Sequence, residues 1–159
     1  MQFIDEGIRV RMTVTKGKAG GKEDKRFIGV EFALALDKDI CKTMPQNLKD
    51  EWQAIKSVAT GISSIEFANG IESQNIKLYR LPQAHAEAVD LEMTNVDLEN
   101  IRLERTLAKD VILYFSVKHP MTRSAWVWLW YAFNRDVYAE FQECQTELIP
   151  KDQQNKPAN

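Results

Sequence analysis

His119-Pro120 is followed at once by Thr122, Arg123 and Ser124, a histidine beside hydroxyls that could pair a general base with a nucleophile. No acidic group to orient the imidazole and no oxyanion donor can be placed beside it from sequence, so a polar turn explains the cluster better. Cys41, between Ile40 and Lys42, has no activating partner and reads as a packed or incidental thiol. Asp37, Asp39 and Asp136 fall near strand ends and are weak candidates for a divalent-ion site. Turn aspartates more commonly bond their own backbone. Gly17, Gly20 and Gly21 match neither phosphate-loop template, because their loop joins strand to strand without opening a helix. No catalytic residue, metal or cofactor is therefore expected.

A basic run is more suggestive. Arg9, Arg11, Lys16, Lys18, Lys22, Lys25 and Arg26 face only Glu23 and Asp24 in sequence, a local +5 in a chain of net charge −2. A glycine-rich basic loop could contact phosphates, and beside strand aromatics it could hold single-stranded nucleic acid by charge and stacking. The plainer alternative is a solvated loop whose lysines protect a hairpin edge. An acidic counterpart follows in Glu87, Asp90, Glu92, Asp97, Glu99 and Glu104, set against Arg102 and Arg105. Patches of opposite sign could also meet between subunits and steer self-association.

The elements that must position these groups come from a chain of 159 residues, 44% apolar and 28% charged, ordinary values for a soluble globular domain. One β-rich domain is expected over residues 1–149, with a polar, disordered tail at 150–159. There is no apolar run of membrane-spanning length, and the opening lacks the basic-then-apolar order of a signal peptide. With two cysteines and no metal-ligand spacing, a reducing cytoplasm is the expected setting, although a single Cys41–Cys144 bridge is conceivable. No membrane partner is expected.

Period-two alternation marks strands at 8–15, 26–36, 75–81, 88–94, 100–106 and 110–118, with 88–94 and 100–106 as hairpin partners. SIEFA (64–68) leads into the tight-turn pair Asn69-Gly70. Residues 16–25 read as a flexible loop, and 137–143 as a strand or as a helix continuing to Leu148. One amphipathic helix is expected at about 46–61, from Leu48, Trp52, Ile55 and Ala59, with Pro45 at its start and Gly61 at its end. These runs predict a mainly β (α+β) fold, an antiparallel sandwich or barrel of about seven or eight strands with that one helix inserted.

Residues 124–136, SAWVWLWYAFNRD, read as a strand with two apolar faces, Trp126, Trp128 and Trp130 on one of them. Residues 30–40 and 127–137 also align at a constant offset of 97, as if two hairpins were equivalent. On that reading Ile112, Tyr114, Trp126, Trp128 and Trp130 form a greasy face too large to leave in water, covered by the helix at 46–61 or by another molecule. The leading functional expectation is a non-enzymatic binding or assembly module acting through protein–protein contacts and self-associating as a homo-oligomer. A nucleic-acid-binding protein using the 16–26 loop is the alternative. A small-ligand binder or hydrolase with a pocket between helix and sheet comes third.

Overall fold

The computed structural model describes residues 1–57, 64–80 and 89–144. Strands β1 (Val10–Gly20), β2 (Phe27–Leu36), β3 (Ser64–Glu66), β4 (Ile71–Arg80), β5 (Leu91–Arg105), β6 (Val111–Pro120) and β7 (Asp136–Glu143) form one antiparallel sheet. Its order is β3-β5-β4-β7-β1-β2-β6, and a further β5–β6 pairing joins the ends. The result is a closed six-stranded barrel with β3 as an extra strand on β5. Helices α1 (Lys38–Cys41), α2 (Gln46–Ser57) and α3 (Arg123–Ala132), with a single 3-10 turn at Glu23–Lys25, complete the described elements.

Alternation places the core. Val10, Met12 and Val14 of β1, Ile28, Val30, Phe32 and Leu34 of β2, and Leu113, Phe115 and Val117 of β6 are all buried. The side chains between them face outward, as period-two geometry requires. Residues 1–4 add a plug that alternation does not reveal. Phe3 makes edge-on contacts with Phe115 and Phe141 at 5.5 and 4.9 Å. Gln74, fully buried, accepts a hydrogen bond from the Phe3 amide and donates to the Met1 carbonyl.

The two longer helices stop opposite ends of the barrel. At the level of Leu36, Val111 and Arg105, α2 buries Leu48, Trp52 and Ile55, and the Arg105 guanidinium donates to the Ile55 carbonyl at 3.4 Å. At the level of Gly17, Val30 and Val117, α3 packs across the other end. Trp128 reaches inward until its ring lies 6.3 Å from that of Phe32, and Leu129 covers Gly17 so closely that a Cβ there would sit 2.5 Å from Leu129 Cδ1.

The stretch 124–133 is thus a helix and not a strand. Ala125, Trp128, Leu129 and Ala132 are its buried set, at the i, i+3, i+4, i+7 positions of one helical face. Thr122 Oγ1 accepts a hydrogen bond from the Ala125 amide at 3.0 Å, an N-cap that a strand reading overlooks. Asn134, at φ +59°, takes the left-handed position that ends the helix. The alignment of 127–137 with 30–40 therefore pairs a helix with a strand and has no structural counterpart. The helix at 46–61 does not cover the tryptophans, being at the far end; its Gln46–Ser57 part is observed, while Ala59 and Gly61 lie outside the described residues.

Three further expectations change. Residues 91–105 are one long strand and not two hairpin partners: Asn95 and Asn100, at φ +51° and +52°, bend it where its register shifts. β3 pairs with β5, not with β4, so Asn69-Gly70 carries the chain between two segments on one edge of β5. β1 continues to Gly20, paired with Phe27–Glu31, which leaves only the tip around a short turn at Glu23–Lys25 as loop. Residues 136–143 form a strand; Leu148 and the tail at 150–159 lie outside the described residues.

The contact between α3 and β1 can be tested by a double-mutant cycle. Gly17→Val should cost about 1–3 kcal/mol through overpacking, and Leu129→Ala about 2–5 kcal/mol through the space it leaves. In urea unfolding the double variant should lose less than the sum, because the shortened side chain vacates the room the new methyls need. Simple additivity would contradict the packing of α3 on β1.

Candidate functional site

Beyond its first turn, where Arg123 and Ser124 are exposed, α3 stays apolar where it meets water. Trp126 is 38% exposed, Val127 54%, Trp130 72% and Phe133 45%, and Trp126, Trp130 and Phe133 recur at the 4-3 spacing of one helical stripe. The Trp126 and Trp130 rings meet edge to face, with centroids 6.0 Å apart. The helix therefore spends one tryptophan on the core and presents two to solvent. Of the five residues grouped as one face by sequence, Trp128 is buried, while Trp126 and Trp130 share the outer side of α3. Ile112 and Tyr114 lie elsewhere, half-buried on the outer wall of β6.

That outer wall is polar and tied together. Glu31 is buried on it, accepting from Thr15 Oγ1 at 2.8 Å and from Arg102 Nη1 at 3.1 Å. Arg102 also donates to Glu104 at 2.9 Å and lies over the Tyr114 ring at 4.2 Å. Burial pushes the Glu31 carboxyl up, but the hydrogen bonds from Arg102 and Thr15, with the charges of Arg102 and Lys16, outweigh it and hold the pKa below its ordinary value. A cavity of about 530 Å³ opens beside this network, lined by Lys16, Lys18, Glu31, Ser116, Lys118 and Phe133 among others.

The basic run of the sequence is divided by the structure. Arg9 donates to Glu140 at 2.9 Å and lies over the Tyr79 ring, and Arg11 donates to Asp136 at 2.8 Å. These two are occupied on the β1–β7 wall. Lys16 approaches Glu31 at 4.0 Å. Lys18, Lys22, Lys25 and Arg26 are exposed on the hairpin and make no ion pair with any described residue. Arg26 also reaches the start of α3, where its carbonyl accepts from the Met121 amide at 2.9 Å. Between hairpin and helix lies a groove of about 390 Å³, lined by Ala19, Arg26, Met121, Thr122, Arg123 and Trp126. Of the acidic counterpart, Asp90 pairs with Arg80 and Glu104 with Arg102, while Glu92, Asp97 and Glu99 are exposed along β5; Glu87 lies outside the described residues.

The candidate chemical groups have other occupations. Asp37 caps α1 by accepting from the Ile40 amide at 2.8 Å, and Asp39 stands 3.9 Å from Lys42. Asp136 accepts from Thr13, which with Arg11 holds its pKa below the usual carboxylate range despite burial. Among the described residues no three His, Cys, Asp or Glu side chains gather as a metal-binding group. Cys41 is buried, which pushes its thiol up to about 11, and neither it nor Cys144 is in a disulfide. His119 is half-buried, and burial lowers its pKa. Among the described residues no helix is long and apolar enough to cross a membrane.

The Glu31 network sets a pH dependence. A carboxyl whose folded pKa is depressed contributes stability above its unfolded pKa of about 4.3, and that contribution fades as pH falls through the lower folded value. Glu31→Gln should therefore cost about 1–3 kcal/mol at pH 7 by leaving Arg102 poorly matched. The gap between variant and parent should narrow as acid titrates the parent below pH 4, measured by urea unfolding at several pH values. A gap that does not change with pH would contradict the role given to Glu31. In comparisons with known proteins, the chain matches no family model, no curated protein sequence and no solved structure.

Proposed function

We propose that this chain is a non-enzymatic binding and assembly module whose docking surface is the outer side of α3. One observation carries the reading: Trp126, Trp130 and Phe133 form an exposed apolar stripe, with the exposed Val127 beside it, on a helix otherwise anchored in the core. Covering roughly 150 Å² of Trp130 alone, at about 25 cal/mol per Å², would gain about 4 kcal/mol. Exposed apolar patches of this kind mark interaction sites, and tryptophan is the side chain most enriched among binding hot spots.

Charge narrows the partner. From Lys16 to Gly29 five cations face two carboxylates, and from Val117 to Arg135 there are three cations and no carboxylate, so this end carries +6 in a chain of −2. Two copies meeting α3 to α3 would set +6 against +6, which opposes a symmetric contact through this face. The partner is anionic. A second copy satisfies that only head to tail, by offering the exposed Glu92, Asp97 and Glu99 of β5. Those carboxylates support self-assembly as a second reading.

An anionic aromatic probe, 1-anilinonaphthalene-8-sulfonate, should bind the native protein at pH 7 with enhanced fluorescence. The pair Trp126→Ser and Trp130→Ser should abolish that signal in a chain that still unfolds cooperatively, at a melting temperature lowered by the packed part of Trp126, which is 38% exposed against 72% for Trp130. Light scattering over a concentration range should show mass growth that the same pair suppresses if head-to-tail assembly occurs. Absence of probe binding, or binding indifferent to the two substitutions, would overturn α3 as the docking surface.

A further inference from the structure

We infer that the groove between the β1–β2 hairpin and the start of α3 holds single-stranded nucleic acid, with phosphates on the hairpin and α3 cations and bases against Trp126 and Trp130. The inference rests on the reading of α3 as a docking surface and names its occupant. Three features point the same way. The groove brings two guanidiniums, Arg26 and Arg123, to the side of Trp126, 38% exposed. A guanidinium presents a planar fork suited to phosphate oxygens, and an indole offers a flat face to any base. Lys18, Lys22 and Lys25 extend the positive field along the hairpin, and Trp130 extends the aromatic surface along α3.

Shape favours a single strand over other anionic partners. At Trp126 the stripe borders a shallow groove of about 390 Å³, with room for a base and its sugar. A duplex keeps its bases stacked and offers a wall of phosphates, so the tryptophans would gain nothing from it. A lipid surface is met best by a convex apolar ridge with its cations to the sides. Here the arginines line a recess beside the indole. An acidic protein segment would satisfy the charges but would supply flat rings only by chance of sequence.

The test uses the full chain and a fluorescein-labelled fifteen-residue oligothymidylate, read by anisotropy and by quenching of intrinsic tryptophan fluorescence. Binding should weaken with salt at a log–log slope of about −2 to −4, as three to five phosphates displace counterions at about 0.7 each. Trp126→Ser should weaken binding about 5- to 150-fold with the slope unchanged. The pair Arg26→Ser and Arg123→Ser should flatten the slope by about 1.4. Duplex DNA of the same length should bind more weakly than the single strand.

Equal affinity for duplex and single strand, with no effect of Trp126→Ser, would overturn the inference in favour of plain electrostatic attraction. Sedimentation with phosphatidylglycerol vesicles that depends on Trp126, without oligonucleotide binding, would overturn it in favour of a membrane surface. If the anilinonaphthalene probe binds at α3 but the oligonucleotide does not, the nucleic-acid inference falls and the docking surface stands. If neither binds, both fall.

Discussion

Strand β5 pairs with β4 along its first half and with β6 along its second, and that handover turns an open sheet into a barrel. Closure satisfies the backbone groups that an edge strand leaves unpaired. It also creates an interior with two ends, each of which must be filled by something other than sheet. The amino-terminal Phe3, α2 and α3 do this. At one end the requirement is met by Trp128 and Leu129, pressed against Phe32 and Gly17. A helix anchored so firmly on one side has its opposite side fixed in place, and on this chain that side carries Trp126, Trp130 and Phe133.

The same closure sorts the charges. Side chains on the outer wall lie between neighbouring strands, where cation and carboxylate are held at short range, as in Arg102 with Glu31 and Glu104, Arg9 with Glu140, and Arg11 with Asp136. The hairpin of β1 and β2 runs on past Val14, and its cations meet few acids there. The positive field is therefore concentrated beside α3, the place where the apolar stripe also emerges. Coincidence of charge and exposed aromatics at one end is the physical basis for proposing that end as a binding surface.

Much of this was legible in the sequence, and the failures have definite causes. Period-two alternation located the inward residues of β1, β2 and β6, and the 4-3 spacing of Leu48, Trp52 and Ile55 located α2. The stretch 124–133 misled because nearly every residue is apolar, so a strand and a helix both leave an apolar face outside. The decisive cues were smaller: the Thr122 cap and the spacing of Ala125, Trp128, Leu129 and Ala132. Continuity of β5 through Asn95 and Asn100 was hidden because asparagine marks a turn as readily as a bend within a strand. Of the candidate site, the basic run of the hairpin could be read directly, whereas Trp126 and Trp130 were grouped with Trp128, which the helix turns inward. The adjacency of Arg26 to Arg123 and Trp126 could not be read, since it depends on α3 folding back beside the hairpin.

The account turns on one division of labour, with Trp128 sealing the barrel and Trp126 and Trp130 left facing outward. Incorporation of 5-fluorotryptophan, followed by fluorine NMR in light and heavy water, reads each indole in the native chain, with assignment by single substitution to phenylalanine. The resonances of Trp126 and Trp130 should move with solvent isotope, and those of Trp52 and Trp128 should not. A Trp128 signal that responds together with its two neighbours, or three neighbours equally shielded in a monomer, would contradict it.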